Sequence, residues 1–252
     1  QTWELLNHPD RDSYDLSSLR TLGGGGGPRP AEHVKALDKN FKGRPGIGYG
    51  LTETNALGTM GAGDEYINNP SSAGRVVPPL TEIKIIDENW QELPEGKIGE
   101  VAIRSQSNMK GYWRNDDATA ECINSEGWFK SGDLGKFDGP FLYILDRLKD
   151  MVIRGGENIA CPEVEGAIYE HPDVLEASVF GIPDERLGEI LCSSICLREG
   201  SKLSVESLNE FLSDKLAAFK IPVKIKFTYN PLPKIASGKF DKPTMRQNFI
   251  EE

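Results

Sequence analysis

Cysteine is scarce in this 252-residue chain, with four residues at positions 122, 161, 192 and 196. A disulfide framework takes more of them at regular spacings, and structural zinc takes four ligands close together. Cys192 and Cys196 share a CxxxC spacing, but Leu191, Ile195 and Leu197 surround them. They read as buried core thiols, while Cys122 and Cys161 stand alone. Histidine is scarcer still: His8, His33 and His171 fall in no metal or triad spacing, and no GxSxG elbow marks a hydrolase nucleophile. No apolar run approaches the roughly 18 residues of a membrane span, and no basic segment followed by an apolar run opens the chain. Basic charge is in deficit, 29 Lys+Arg against 39 Asp+Glu for a net −10. That balance excludes the basic face needed for broad nucleic-acid binding. The expectation is a reduced, cytoplasmic protein with no nucleic-acid partner.

What is present is ordinary globular material, 38% hydrophobic and 27% charged, long enough for two domains. The 27 glycines and 16 prolines signal many turns. A helix is expected from Ala31 to about Phe41, with His33, Val34, Leu37 and Phe41 on one face. Gly58 to Asp64 reads as loop. From about Gly74 to Asp146 the period falls to two: Ile83 and Ile85 alternate with Lys84, and Val101 and Ile103 with Ala102. Phe141 to Leu145 is a continuous apolar run. Short strands at this spacing predict a small barrel or sandwich. The pattern changes again after the charge cluster Asp146-Arg147-Leu148-Lys149-Asp150, so a boundary is placed between Leu148 and Lys149. Pro162 suits the first turn of a helix that ends at His171-Pro172. Strands follow at Val174–Phe180 and Ile190–Leu197. Ser204 is expected to cap a helix that Pro222 breaks, and Val223 to Tyr229 alternates as a last strand before a short final helix. The fold class is therefore α/β with α+β: residues 1–148 form one domain with a β-rich part at about 74–146, and residues 149–252 form a compact α+β domain.

Four segments carry candidate chemistry. The glycines Gly23 to Gly27 let backbone approach an anion or a flat ligand, but Pro28-Arg29 follow where a Walker loop has Lys-Ser/Thr, so a plain tight turn stays open. Ser131-Gly132-Asp133 puts a carboxylate on a loop before the buried strand, able to accept from vicinal hydroxyls. Arg154-Gly155-Gly156-Glu157-Asn158 suits a mobile turn. Pro233-Lys234-Ile235-Ala236-Ser237-Gly238-Lys239 sets a lysine on a Ser-Gly turn as an outward point charge. Each of these last three, taken alone, reads first as a solvated loop.

Together with Tyr49-Gly50-Leu51-Thr52-Glu53-Thr54, these segments resemble the adenylate-forming superfamily of acyl-CoA synthetases, peptide-synthetase adenylation domains and firefly luciferase. The resemblance covers nearly the whole chain. It implies the C-terminal part of the large AMP-binding domain, with a small β-barrel-like subdomain, followed by a small domain that rotates between two half-reactions. It implies that a carboxylate attacks the α-phosphate of ATP and that a thiol then displaces AMP. Gly25, Gly26 and Gly27 would lie against the adenine and Tyr49 on its other face, beside Gly50. Thr52 would contact the α-phosphate and Glu53 would help hold Mg²⁺. Asp133 would accept the ribose hydroxyls, with Arg147 on the same sugar. Lys239 would bridge carboxylate and α-phosphate. Lys149 matches the hinge, and Gly155, Gly156, Glu157 and Asn158 form the loop that replaces Lys239 for the coenzyme A step.

Some positions depart from the family pattern. An extra glycine stands where Gly-Gly-Ala-Pro is usual, Ile47 replaces a residue that is often polar, and Pro140 is unusual in its turn. Nothing matches the family's upstream Ser/Thr/Gly-rich phosphate loop, and the chain opens at Gln1 without Met. The expectation is the C-terminal portion of a longer enzyme, inactive alone because nothing grips the β- and γ-phosphates. Gly156-Glu157-Asn158-Ile159, Pro162-Glu163-Val164-Glu165 and Phe180-Gly181-Ile182-Pro183-Asp184 look most like fatty acyl-CoA synthetases. The expected partners are then a fatty acid, ATP or AMP, and coenzyme A; no basic amphipathic helix calls for a membrane. Loading of a carrier protein and a noncatalytic nucleotide-binding scaffold stand as alternatives.

Overall fold

The computed structural model describes residues 2–27, 29–236 and 238–251, without the Trp3 side chain. Pro28 of the glycine segment and Ser237 of the lysine turn lie outside the described residues, as do Gln1 and Glu252. The chain divides into two compact units, Gln1–Leu145 and Asp146–Glu252.

The first unit opens with a short helix α1 (Thr2–Leu6), strand β1 (Thr21–Leu22), helix α2 (Ala31–Asn40) and strand β2 (Arg44–Tyr49). The helix forms as its spacing predicts: Val34 and Leu37 are buried, and Phe41 closes the face beside Leu22. Strand β1 pairs parallel with β2, Thr21 opposite Arg44 and Leu22 opposite Pro45. Strand β3 (Thr59–Ala62) runs antiparallel on the other edge of β2, followed by α3 (Gly63–Asn68) and β4 (Arg75–Val76).

The expected loop over Gly58–Asp64 is thus a strand and the start of a helix. Thr59 and Gly61 are buried, Met60 and Ala62 exposed, so the period of two is real but written in glycine. Close approach explains the glycines: a Cβ on Gly61 would lie 3.2 Å from Gly74 Cα, and one on Gly74 would lie 2.3 Å from the Met60 carbonyl carbon.

A second sheet follows, in the order β5 (Thr81–Ile86), β6 (Gly99–Ser105), β7 (Phe129–Asp138) and β8 (Phe141–Arg147), with α4 (Asp116–Cys122) between β6 and β7. Ile85, Val101, Ile103 and Leu142 form its buried face, against which Tyr49 and Leu51 pack.

Ser131-Gly132-Asp133, expected on a loop, lies inside β7. Opposite β6 the register runs Lys130 to Ala102 and then Leu134 to Glu100, leaving residues 131–133 as an irregularity in the ladder. Gly132 bends there at φ 72°, as a bulge requires.

The second unit is one sheet with helices on both faces. It comprises β9 (Val152–Arg154), β10 (Glu157–Ile159), α5 (Cys161–Tyr169), β11 (Val174–Asp184), β12 (Gly188–Leu197), α6 (Val205–Ser213), β13 (Lys224–Thr228) and α7 (Lys242–Ile250). Strand β12 pairs antiparallel with β11 and parallel with β13. Alternate residues then serve two cores. Ala177, Val179, Leu191 and Ile195 pack with Val164, Ile168, Leu208 and Leu212 of α5 and α6. Phe180, Ile182, Cys192 and Cys196 pack with Met245 and Phe249 of α7.

The CxxxC spacing is therefore one face of a strand, and all four thiols are free; burial pushes Cys192 up to about 11, keeping it protonated. Ser204 accepts the Ser207 N–H as the cap of α6, and Leu208 and Leu212, each worth about 2 kcal/mol when fully buried, fix that helix. It ends at Ser213, before the expected stop at Pro222, because an isolated turn at Ala218–Lys220 takes over.

Candidate active site

In the first unit the glycine segment prolongs β1 alongside β2. Gly48 donates its N–H to the Gly24 carbonyl at 2.9 Å, and Gly25 forms a parallel bridge with Gly48. A Cβ on Gly25 would sit 2.7 Å from the Gly48 carbonyl oxygen, so this edge is closed to any larger residue. Gly25, Gly26 and Gly27 are exposed, and Gly26 turns at φ 78°. The chain thus offers bare backbone just past the carboxyl ends of two parallel strands, where open sheets bind ligands.

Tyr49 ends β2 at this place. Its ring rests on the core of the second sheet, and its hydroxyl donates to Asp133 Oδ2 at 2.8 Å. The fold thereby joins two predicted site residues that lie 84 positions apart. Asp133 is 4% exposed and is aimed by the bulge; its own N–H is turned onto Ser131 Oγ at 3.1 Å.

Thr52 and Glu53 follow on a 3-10 turn, Thr52–Thr54. The turn is braced from within, since the Leu51 N–H donates to Thr54 Oγ1 at 3.0 Å. It is braced from outside by Ser107, whose hydroxyl donates to the Thr54 carbonyl at 2.9 Å, and by Met109, whose N–H reaches the Glu53 carbonyl at 2.7 Å. Tyr112 completes the brace, donating its hydroxyl to Glu53 Oε1 at 3.0 Å. The sequence reading passed over Tyr112. Its segment Gly111-Tyr112-Trp113-Arg114 has no period and no titratable cluster, and only the fold brings it to Glu53.

Desolvation, and then the bond to the Glu53 carboxylate, push the Tyr112 phenol up to about 12. The protonated phenol is the form that this contact favours. The contact is therefore complete below the ordinary tyrosine value near 10 and is lost as pH rises through about 12. An ultraviolet titration is expected to show one tyrosine ionising near pH 12 that disappears in Tyr112→Phe; an unchanged curve in that variant would place the high value elsewhere.

Among the described residues no group of three or more His, Cys, Asp or Glu is arranged to hold a metal. One carboxylate, Glu53, fits Mg²⁺ only as that ion is usually bound, with phosphate oxygens and water supplying the other positions.

In the second unit Arg147 and Lys149 are exposed. Asp146 beside them is 6% exposed, accepting the Cys161 N–H at 2.7 Å and the Arg147 N–H at 2.8 Å. It thus ties the segment before Lys149 to the first turn of α5. Desolvation raises the Asp146 pKa, and these two bonds oppose the rise. Gly155 and Gly156 form the tip of the β9–β10 hairpin, both at positive φ, with Glu157 and Asn158 exposed beside them. Lys239 is exposed near the end of a loop closed by a bridge between Lys234 and Phe240. The Ile235 N–H donates to the Lys239 carbonyl at 2.9 Å and the Asp241 N–H to the Pro233 carbonyl at 2.9 Å.

The sequence matches the AMP-binding enzyme family over residues 2–113 and the AMP-binding enzyme C-terminal domain over residues 163–239. The chain belongs to the AMP-binding enzymes. It is 41% identical to the putative acyl-CoA synthetase YngI of Bacillus subtilis, across 98% of this chain and 45% of that protein. It is 36% identical to the mitochondrial medium-chain acyl-CoA ligase ACSF2 of Danio rerio, across 97% of this chain and 41% of the relative. In three dimensions it resembles the amide bond synthetase McbA of Marinactinospora thermotolerans at a TM-score of 0.89 and 33% identity, over 98% of this chain and 50% of McbA. The chain therefore spans about half the length of the relatives it matches. In this member of the family, the glycine edge, Tyr49 and Asp133 form one cluster in the first unit, and the hairpin glycines and the Lys239 loop are separate features of the second.

Proposed function

We propose that this chain serves an acid–thiol ligase that activates a carboxylic acid, of the fatty acid class, with ATP and Mg²⁺ and passes the acyl group to coenzyme A. In the first half-reaction a carboxylate oxygen attacks the α-phosphorus, the bond to the β-phosphate oxygen breaks, and pyrophosphate leaves. In the second the coenzyme A sulfur attacks the acyl carbonyl and AMP leaves.

The observation that carries the reading is the Tyr49–Asp133 hydrogen bond beside the glycine edge. It presents a flat apolar ring, bare backbone and a buried carboxylate together, which suits a base and its ribose. The bound metal would neutralise phosphate charge, with Glu53 as its protein ligand and Thr52 on the α-phosphate. Lys239 stabilises the charge that grows between carboxylate and phosphate, and Arg147 adds a contact to the sugar. Lys149 is the pivot on which Gly155–Asn158 replaces the lysine loop for thiol attack. The Bacillus and Danio relatives, by name an acyl-CoA synthetase and a medium-chain acyl-CoA ligase, favour coenzyme A as acceptor.

The test supplies the chain, alone and joined to the N-terminal half of an AMP-binding relative, with ATP, coenzyme A and acids from acetate to long-chain and aryl. Acyl-CoA and AMP are read by mass spectrometry. Acyl-CoA from the joined protein supports the proposal. Acyl-AMP without acyl-CoA would move the acceptor to a carrier protein or an amine. Absence of both, with no binding of AMP, would leave a scaffold.

A further inference from the structure

The Lys239 loop is exposed, yet both of its ends are tied down by carboxylates whose part in the loop no sequence motif reveals. On the incoming side, Glu176 of β11 accepts the Leu232 N–H at 2.8 Å on Oε2 and the Lys234 ammonium at 2.5 Å on Oε1. Glu176 sits where the β11–β12 register shifts, and its side chain is 15% exposed. Leu232 is itself buried in the core under α7. On the outgoing side, Asp241 caps α7 through the Thr244 N–H and hydroxyl. The next residue, Lys242, pairs with Glu165 of α5 at 3.0 Å, at side-chain exposures of 19% and 13%. Glu165 is in turn fixed by the Val179 N–H at 2.9 Å on the same oxygen. Burial alone would lower the Lys242 pKa; the Glu165 carboxylate, with Cys161 and Asp146, more than reverses this, so the ammonium stays charged.

We propose that Glu176 and Glu165 are positioning residues for Lys239, a two-point carboxylate clamp that fixes the loop stem while leaving the lysine side chain mobile. The proposal rests on the reading of Lys239 given above. An exposed lysine pays rotamer entropy each time it engages a transition state. Fixing its backbone confines that cost to the side chain, and a displacement of about 1 Å at such a group is worth up to about 10²-fold in rate. Each acid meets its stem at both a backbone and a charged contact, or at a charged contact that is itself anchored to the sheet. Glu170, which pairs with Lys215 at 2.6 Å away from the loop, offers an unrelated ion pair of the same unit for comparison.

The test is hydrogen exchange on the chain, followed by the adenylation half-reaction in the joined protein. In Glu176→Ala the Ile235, Gly238 and Asp241 amides are expected to exchange about tenfold faster, with α6 unchanged; Glu176→Gln, which keeps an acceptor for Leu232, should show a smaller rise. Glu165→Gln should loosen Asp241 first. Both alanine and glutamine changes should lower the adenylation rate with little change in the KM for ATP and none in thioester formation from supplied acyl-AMP, while Glu170→Gln leaves every measurement alone. Unchanged loop exchange, or a rise equal across the whole unit, overturns the clamp. A Lys239→Ala variant that still adenylates normally would instead remove the role of Lys239, and the positioning role with it.

Discussion

Replacing Lys239 with alanine is expected to lower acyl-adenylate formation about 10²–10³-fold, the usual effect of removing one preorganised donor from a developing charge. The change should fall on the rate and leave ATP affinity nearly intact, because the ground-state contacts assigned to the nucleotide lie on Tyr49, Asp133 and the glycine edge. Lys239 is exposed and its loop is closed by backbone bonds between Ile235 and Lys239 and between Pro233 and Asp241, so the fold should survive the change. Pyrophosphate release in a single turnover, with circular dichroism alongside, measures both. Thioester formation from supplied acyl-AMP is expected to continue at its normal rate, since the proposed function assigns that step to the Gly155–Asn158 hairpin. Equal losses in both half-reactions would contradict the division of labour between the two loops.

Gly50→Ala is expected to have a large effect at the turn that carries Thr52 and Glu53. A Cβ there would meet the Ala56 carbonyl carbon at 2.4 Å, its oxygen at 2.6 Å and the Leu57 nitrogen at 2.8 Å. All three are backbone atoms and cannot rotate away. The turn is also already tight: the Ala56 N–H returns to the Leu51 carbonyl at 2.8 Å, and Asn55 and Ala56 both lie in the left-handed region at φ 53° and 61°. Opening it should cost about 3 kcal/mol and displace Thr52 and Glu53. Binding of a nonhydrolysable acyl-adenylate should weaken at least about tenfold, or about 1.4 kcal/mol. Gly166→Ala is the matched control. It lies in α5 with nothing within 4 Å of the new Cβ, and should stabilise that helix by about 0.5–1 kcal/mol. Thermal unfolding and calorimetric titration of the two variants decide the matter; equal behaviour would mean that the turn yields without cost.

Local rules made much of the fold legible. Ser204 announced α6 because a hydroxyl cap is a short-range signal, and Pro162 announced α5 for the same reason. Ile83 and Ile85, with Val101 and Ile103, showed their strands because one face is buried and the sheet alternates. Strand β3 escaped because its alternation is carried by Thr59 and Gly61, a residue pair whose burial reflects backbone proximity and not apolar side chains. Ser131–Asp133 escaped because a strand interrupted by a positive-φ glycine looks like a turn from within. At the candidate site, Tyr49, Asp133 and Lys239 were pointed to by the motifs of the resemblance, and the structure joins the first two in a hydrogen bond. No motif pointed to Tyr112 or Glu176, and Glu165 entered only as part of a family motif. Their partners lie between 14 and 77 positions away in order, such as Glu53 for Tyr112, Lys234 for Glu176 and Lys242 for Glu165, and only tertiary structure supplies them.

The irregularity in β7 also governs what the strand can tolerate. Between Lys130 and Leu134 the strand spends three residues where β6 spends one, Val101. Asp133 therefore owes its place to a count as much as to a contact. Loss of a single residue from this stretch would reverse the facing of everything from Leu134 to the end of the strand, exchanging core side chains for solvent ones. Substitution at Ser131 leaves the count alone and touches a single hydrogen bond to the Asp133 N–H. The length of the segment is thus set by the facing of the strand, while Gly132 and Asp133 are set by their own conformation and contact. The Asp133 carboxylate is held in phase, like a reading frame, by the number of residues before it.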